Sequence, residues 1–256
     1  MAKIKDIRDF FEGRVPASLK MDFDNVGFLA GESDQDVKKV IVALDITTDV
    51  INETAEYGAE LIVSHHPLIF SAIKTVTDSD MTGKKLLSLI KNGISAICLH
   101  TNLDAVQGGV NDALMSALGG QNTELLGDPT GIGRIGELPV PMEMQKFLKH
   151  TKFVLNANGL RYHDAGRPVR RLGCCGGSGG AMLELAALNG CDTYVTADIK
   201  YDVFLAAKDF GINLIDADHF CTENVVIPAL AEMLKSAFPE LEVSISQRHA
   251  QTVRFF

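Results

Sequence analysis

The sequence predicts an α/β fold in two lobes, each a mixed or mostly parallel sheet flanked by helices. Three observations predict it. Short runs of consecutive apolar residues recur along the chain, amphipathic helical patterns alternate with them, and one turn-rich stretch interrupts the alternation near the middle. Strands apolar at every position are buried on both faces, as in parallel sheets covered by helices. The 256 residues, 46% of them hydrophobic, suffice for one large domain or two modest ones with a real core.

In the first half, Lys39-Val40-Ile41-Val42-Ala43-Leu44-Asp45 reads as a strand, a helix follows Thr47-Thr48, and Glu60 to Ser64 reads as the next strand. A helix over about Lys84 to Lys91, a strand at Ser95 to His100 and a helix from about Val110 to Leu118 follow. The stretch from Gly127 to Pro141, with Asp128-Pro129-Thr130-Gly131-Ile132-Gly133, concentrates turn formers. It gives a boundary between an N-terminal lobe, 1–127, and a C-terminal lobe, 128–256. In the second lobe, strands are expected at Arg170 to Cys175, Thr193 to Thr196, Ile212 to Asp216, Val243 to Ser246 and Thr252 to Phe256. Helices are expected over about Ala181 to Leu188, Val203 to Asp209 and Glu223 to Ala237.

A formal charge of -9, from 24 basic and 33 acidic residues, sets the overall field against nucleic acid, whose binding would need a local basic patch. The N-terminal residues lack an apolar core of signal-peptide length, and no later run is long enough to span a bilayer, so the expected location is cytoplasmic, without a membrane partner. Five cysteines with no Cys-x-x-Cys spacing, mostly in apolar stretches, read as reduced buried thiols.

In such sheets, ligands bind beyond the carboxyl ends of the strands. His65 and His66 follow one predicted strand end, in Ser64-His65-His66-Pro67, and Asp104 follows the next. In Asp218-His219-Phe220-Cys221-Thr222-Glu223, a turn starting at His219 puts imidazole and carboxylate on one helical face, four residues apart. Taken singly, Glu223 reads first as a first-turn acid favoured by the helix dipole, and Asp104 as a turn or cap residue before Gly108-Gly109. Together, His65, His66, Asp104, His219 and Glu223 supply nitrogen and oxygen donors suited to Zn, Fe, Mn, Co or Ni, and no thiolate singles out zinc.

His65-His66-Pro67-Leu68-Ile69-Phe70, His100-Thr101-Asn102-Leu103-Asp104 and His219-Phe220-Cys221-Thr222-Glu223 resemble the three signatures of the NIF-three-like dinuclear metal-centre family. Many of its members carry the name GTP cyclohydrolase I type 2 homologue. Asp24-Asn25-Val26-Gly27-Phe28 is similar to its N-terminal Trp-Asp-Asn-x-Gly-Leu motif, Gly176-Gly177-Ser178-Gly179 to its glycine-rich turn, and Thr196-Ala197-Asp198-Ile199-Lys200-Tyr201 to its Thr-Gly-Glu/Asp segment. The resemblance implies two divalent metal ions per chain in a cleft between the lobes, and a ring-shaped homohexamer. It makes His65, His66, Asp104, His219 and Glu223 the metal ligands, with Glu223 the bridge. The chain departs from the family pattern at Phe23, Ala197, Asp202 and Cys221, where Trp, Gly, His and Ala are usual, and none of these removes a ligand. Cys221, two positions from both His219 and Glu223, is expected to point away from them.

Two further residues are candidate catalytic groups. His100 either hands a proton to a leaving group, orients a ligand, or is a structural histidine bonded to a neighbouring carbonyl. Asp198 either accepts a proton from a ligating imidazole or from water, or is a turn residue. The glycine-rich turn reads first as tight chain packing and second as a phosphate cradle. Five protein ligands for two ions leave coordination positions open, which points to a metal-dependent hydrolase of a small phosphorylated or nucleotide-like substrate. The alternative is a noncatalytic hexamer that binds metal, partner proteins or nucleic acid.

Overall fold

The computed structural model describes residues 2–256. It is a mixed α/β structure whose sheets are flanked by helices, and it divides into two compact units. The first unit comprises the chain up to Leu103 together with Ile227–Ala250; the second comprises Asp104–Val226 and Gln251–Phe256.

The first unit holds a five-stranded sheet in the order Glu242–Ile245, Lys39–Ala43, Leu61–Ser64, Ser95–Cys98, Gly27–Ala30. The first four strands run parallel and the last antiparallel. The strands Leu61–Ser64 and Ser95–Cys98 are buried at every position, which is why their sequences are apolar runs and not alternations. Thr47 and Asp80 accept backbone N–H groups of Val50 and Gly83 and so start the helices Thr48–Tyr57 and Met81–Lys91, and Gly58, at φ +69°, ends the first of them. Ile41, Val50, Ile51, Ile62, Leu86, Leu89 and Ile94 pack together as the core between these elements.

The second unit holds a six-stranded sheet in the order Gln121–Leu125, Arg134–Met142, Val169–Cys174, Thr193–Thr196, Asn213–Asp216, Arg161–His163. Its three central parallel strands are bordered by antiparallel ones. Leu114, Met115, Phe147, Leu148, Leu172, Val195 and Ile215 belong to its core.

Several expectations are revised. The turn-rich stretch at Gly127 is the loop of a hairpin, with Leu125 paired to Arg134, and not a link between lobes. The compact units instead part at Leu103 and Asp104, because the helix Ile227–Ala237 and strand Glu242–Ile245 return to the first sheet. The helix expected from Glu223 to Ala237 is three pieces, His219–Glu223, a 3-10 turn Asn224–Val226 and Ile227–Ala237. Thr252 to Phe256 form no strand; the Asn158 side chain donates to Val253 O at 2.8 Å and the Phe255 ring covers Gly159. Among the described residues, no helix is long and apolar enough to cross a membrane.

Candidate metal centre

In the first unit the carboxyl ends of three adjacent parallel strands deliver the polar groups. Lys39–Ala43 leads to Asp45, Leu61–Ser64 to His65 and His66, and Ser95–Cys98 to His100. Backbone bonds from His66 N to Leu44 O (2.8 Å) and from Leu99 N to Ser64 O (2.9 Å) extend the ladder past the strand ends and fix where these side chains emerge. His65, His66 and His100 each offer a ring nitrogen within 4.8 Å of the others.

Every one of these imidazoles is held through Nδ1. His65 Nδ1 donates to Leu99 O (2.8 Å), His66 Nδ1 to Asp45 Oδ1 (2.8 Å) and His100 Nδ1 to Asp24 Oδ1 (2.8 Å). Because the acceptors are a carbonyl and two carboxylates, the proton sits on Nδ1. Nε2 is then the nitrogen able to present a lone pair to a cation, the arrangement found around metal-binding histidines.

In the second unit the same rule applies to the strands Val169–Cys174, Thr193–Thr196 and Asn213–Asp216, which lead to the glycine-rich turn, Asp198 and His219. Asp218 caps the short helix His219–Glu223, its carboxylate accepting from Cys221 N at 3.3 Å. His219 Nδ1 donates to Asp198 Oδ2 (2.7 Å), and His219 Nε2 lies 3.2 Å from Glu223 Oε2. Burial pulls the His219 pKa down, but the Glu223 and Asp198 carboxylates outweigh it and raise it to about 9. Asp198 and Asp218 both hold positive φ, +54° and +70°, a cost that aspartate tolerates better than most side chains.

Glu223 is the hub of this unit's donors. Asp104 also places a carboxylate oxygen within 4.8 Å of it, and the two residues are only 7% and 4% exposed. Two buried carboxylates this close favour a multivalent cation, since like charges out of water repel strongly. Asp104 is positioned by Asn111, whose Nδ2 donates to Asp104 O (3.0 Å) while its Oδ1 accepts from Gly176 N (2.8 Å).

The glycine-rich turn packs against this hub. The N–H groups of Gly176, Gly177 and Gly179 are donated to Asn111, Thr222 and Thr196. A Cβ on Gly177, which sits at φ +61°, would fall 2.2 Å from Glu223 Oε1. The packing reading of that turn therefore holds, and the phosphate cradle does not. Cys221 points into the hydrophobic core, and burial pushes its thiol up to about 12, so it is no soft ligand.

The structure thus groups His65, His66 and His100 in one unit, and Asp104, Asp198, His219 and Glu223 in the other. Three residues that sequence reasoning passed over support them. Asp45 follows a strand end as the histidines do, and that position was its only signal. Asn111 lies inside a helix and had none. His249 accepts Leu44 N–H through Nδ1 (3.1 Å), and burial lowers its pKa against the pull of Asp45 and Glu53. A cavity of about 590 Å³ in the first unit, lined by Leu29, Ile73, Val76, Leu86 and Ile90 among others, contains none of these groups.

The chain has relatives in both sequence and structure. The DUF34/NIF3 (NGG1p interacting factor 3) family matches it over residues 2–252. A Clostridium perfringens protein named GTP cyclohydrolase 1 type 2 homolog is 37% identical over 240 residues, covering 91% of each chain. The crystal structure of the Staphylococcus aureus hypothetical protein SA1388 superposes with a TM-score of 0.93 at 29% identity, covering 99% of both chains. That of a Bacillus cereus protein related to NIF3 gives 0.94 at 25% identity, covering 100% of this chain and 99% of the other. Matched almost end to end in both sequence and fold, the chain belongs to the DUF34/NIF3 family.

Proposed function

We propose that the chain is a metal-dependent hydrolase of a small phosphorylated or nucleotide-like molecule, with two divalent ions held by His65, His66, Asp104, His219 and Glu223. The observation that carries this reading is the uniform orientation of the ligand histidines, each giving Nδ1 to a protein oxygen so that Nε2 is the nitrogen on the donor-cluster side, which for His219 is the side of Glu223. Glu223, within reach of both Asp104 and His219, is the residue suited to serve two ions at once. Bound there, divalent ions of the Zn, Fe, Mn, Co or Ni class supply Lewis acidity and bring the pKa of water towards neutrality.

The chain's own residues do the rest. Asp45 and Asp198 hold the His66 and His219 rings in one tautomer, and Asp198 helps raise the His219 pKa. His100, fixed by the buried Asp24, keeps Nε2 for exchanging a proton with substrate. The assembly in this reading is a toroidal homohexamer in the cytoplasm, and its relatives' cyclohydrolase name supports a nucleotide-like substrate.

The test begins with elemental analysis of chelator-treated protein after reloading. About two ions per chain are expected, with at least one lost in His66→Ala. Reloaded protein is then screened against nucleotides and phosphoesters. Absence of stoichiometric uptake would overturn the metal reading, and uptake without turnover, or turnover unchanged in His66→Ala, would leave the noncatalytic alternative.

A further inference from the structure

We propose that Phe23 and Phe70 form an aromatic wall at the mouth of the imidazole cluster, which takes the planar heterocyclic ring of the substrate. The inference rests on the reading of that cluster as a substrate site. Phe23 is 62% exposed and Phe70 51%, although large aromatic side chains are ordinarily withdrawn from water. Their ring centroids lie 6.1 Å apart at an interplanar angle of 63°. Phe70 in turn meets the His100 ring edge to face, at 6.1 Å and 81°. The wall is therefore continuous with His65, His66 and His100, whose own rings lie 4.9–5.5 Å from one another.

Both phenyl groups stand on pinned backbone. Asn25 Nδ2 donates to Ile69 O at 2.6 Å and ties the loop carrying Phe23 to the loop carrying Phe70. Lys20 Nζ donates to Asp24 O (2.7 Å) and Met21 N to Thr101 Oγ1 (3.0 Å), anchoring the first loop on either side of Phe23. Rings held in this way lose little entropy when a flat ligand stacks on them. The two side chains offer at most a few hundred Å² of surface, below the roughly 800 Å² per partner of a stable protein interface but ample for one heterocycle. The segment around Phe23 thereby has two tasks, Asp24 orienting His100 and Phe23 receiving the ring.

The chain has no tryptophan, so Phe23→Trp in the full-length protein installs a single indole at the wall. Its fluorescence is titrated with GMP and with ribose 5-phosphate, which lacks the ring, in metal-free and metal-reloaded samples. The expected result is saturable quenching by GMP in at least one sample and none by ribose 5-phosphate. Adding Phe70→Leu, which keeps apolar bulk but removes the π face, is expected to weaken GMP binding at least about fivefold. No quenching by GMP in either sample, equal binding of ribose 5-phosphate, or an unchanged affinity with Phe70→Leu would overturn the proposal. Metal content measured on the same samples separates the two failures, since ring binding can be lost while metal uptake persists, and the reverse.

Discussion

His100 and Asp24 form a hydrogen-bonded pair, Nδ1 to Oδ1 at 2.8 Å, in which the carboxylate side chain is fully withdrawn from solvent. Thr101 completes the pair by giving Asp24 Oδ2 both its backbone N–H (3.0 Å) and its hydroxyl (2.5 Å). Burial alone would raise the Asp24 pKa, but the bonds from His100 and Thr101 outweigh it and hold it well below the ordinary 3.8. A folded pKa below the unfolded one stabilises the fold above about pH 4 and is lost as pH falls from there. Asp24→Asn is expected to cost about 1–3 kcal/mol at neutral pH and to flatten the acid side of the stability profile. Thermal melts from pH 3 to 7 check this; an unchanged acid limb would show that Asp24 carries no such charge.

His219 responds in the opposite sense. Its pKa, raised to about 9 in the metal-free chain, makes the protonated ring stabilising below about 6.5, a contribution that disappears as pH rises through 9. Asp198→Asn removes one of the two carboxylates responsible. The NMR titration midpoint of His219 should then move down towards 6.5 without reaching it, because Glu223 remains. A midpoint still near 9 would contradict the assignment.

Asp45 accepts from His66 Nδ1 at 2.8 Å, so in the proposed metal site it acts through that ring. Asp45→Asn is therefore expected to weaken metal binding about 10- to 100-fold, while the loss in His66→Ala is larger. Competition with a chromophoric chelator measures both, and identical affinities for wild type and Asp45→Asn would refute the link.

Two glycines with similar backbones separate strain from collision. Gly177 (φ +61°) faces Glu223, whereas Gly190 (φ +76°) has open space where a Cβ would go. Gly190→Ala should cost about 1 kcal/mol through backbone conformation alone. Gly177→Ala should cost more, by a further 1–3 kcal/mol or so, and impair metal uptake by displacing the Glu223 carboxylate. Urea denaturation of the two variants compares them; equal losses would mean that the turn yields without disturbing Glu223.

Burial raises the thiols of Cys174, Cys175, Cys191 and Cys221 above their usual range, Cys191 to about 11. All five cysteines are buried and unbridged, so native protein should resist a thiol reagent that reacts fully after unfolding. Rapid labelling of the folded chain would show that these sites open readily.

Much of this arrangement was legible in the residues. Apolar runs such as Leu61–Ser64 and Thr193–Thr196 declared buried strands, and the histidines and acids following them declared one rim of each sheet. The helices Ile4–Arg14 and Met144–Val154 escaped the alternation, although Ile4, Ile7 and Phe11, and Met144, Phe147, Leu148 and Thr151, mark their buried faces. The hairpin at Gly127 was misread because turn formers look the same in a linker and between two paired strands.

The sequence alone determined which residues carry donor atoms and that they lie at strand ends, because burial periodicity and residue chemistry are local properties. Only the tertiary structure decided which nitrogen of each histidine is engaged, that Glu223 stands within reach of both Asp104 and His219, and that Asp24 and Asp45 belong to the site. Those facts depend on contacts between residues far apart in the chain, such as Asp24 and His100, 76 positions apart, which nothing in the local order of residues encodes.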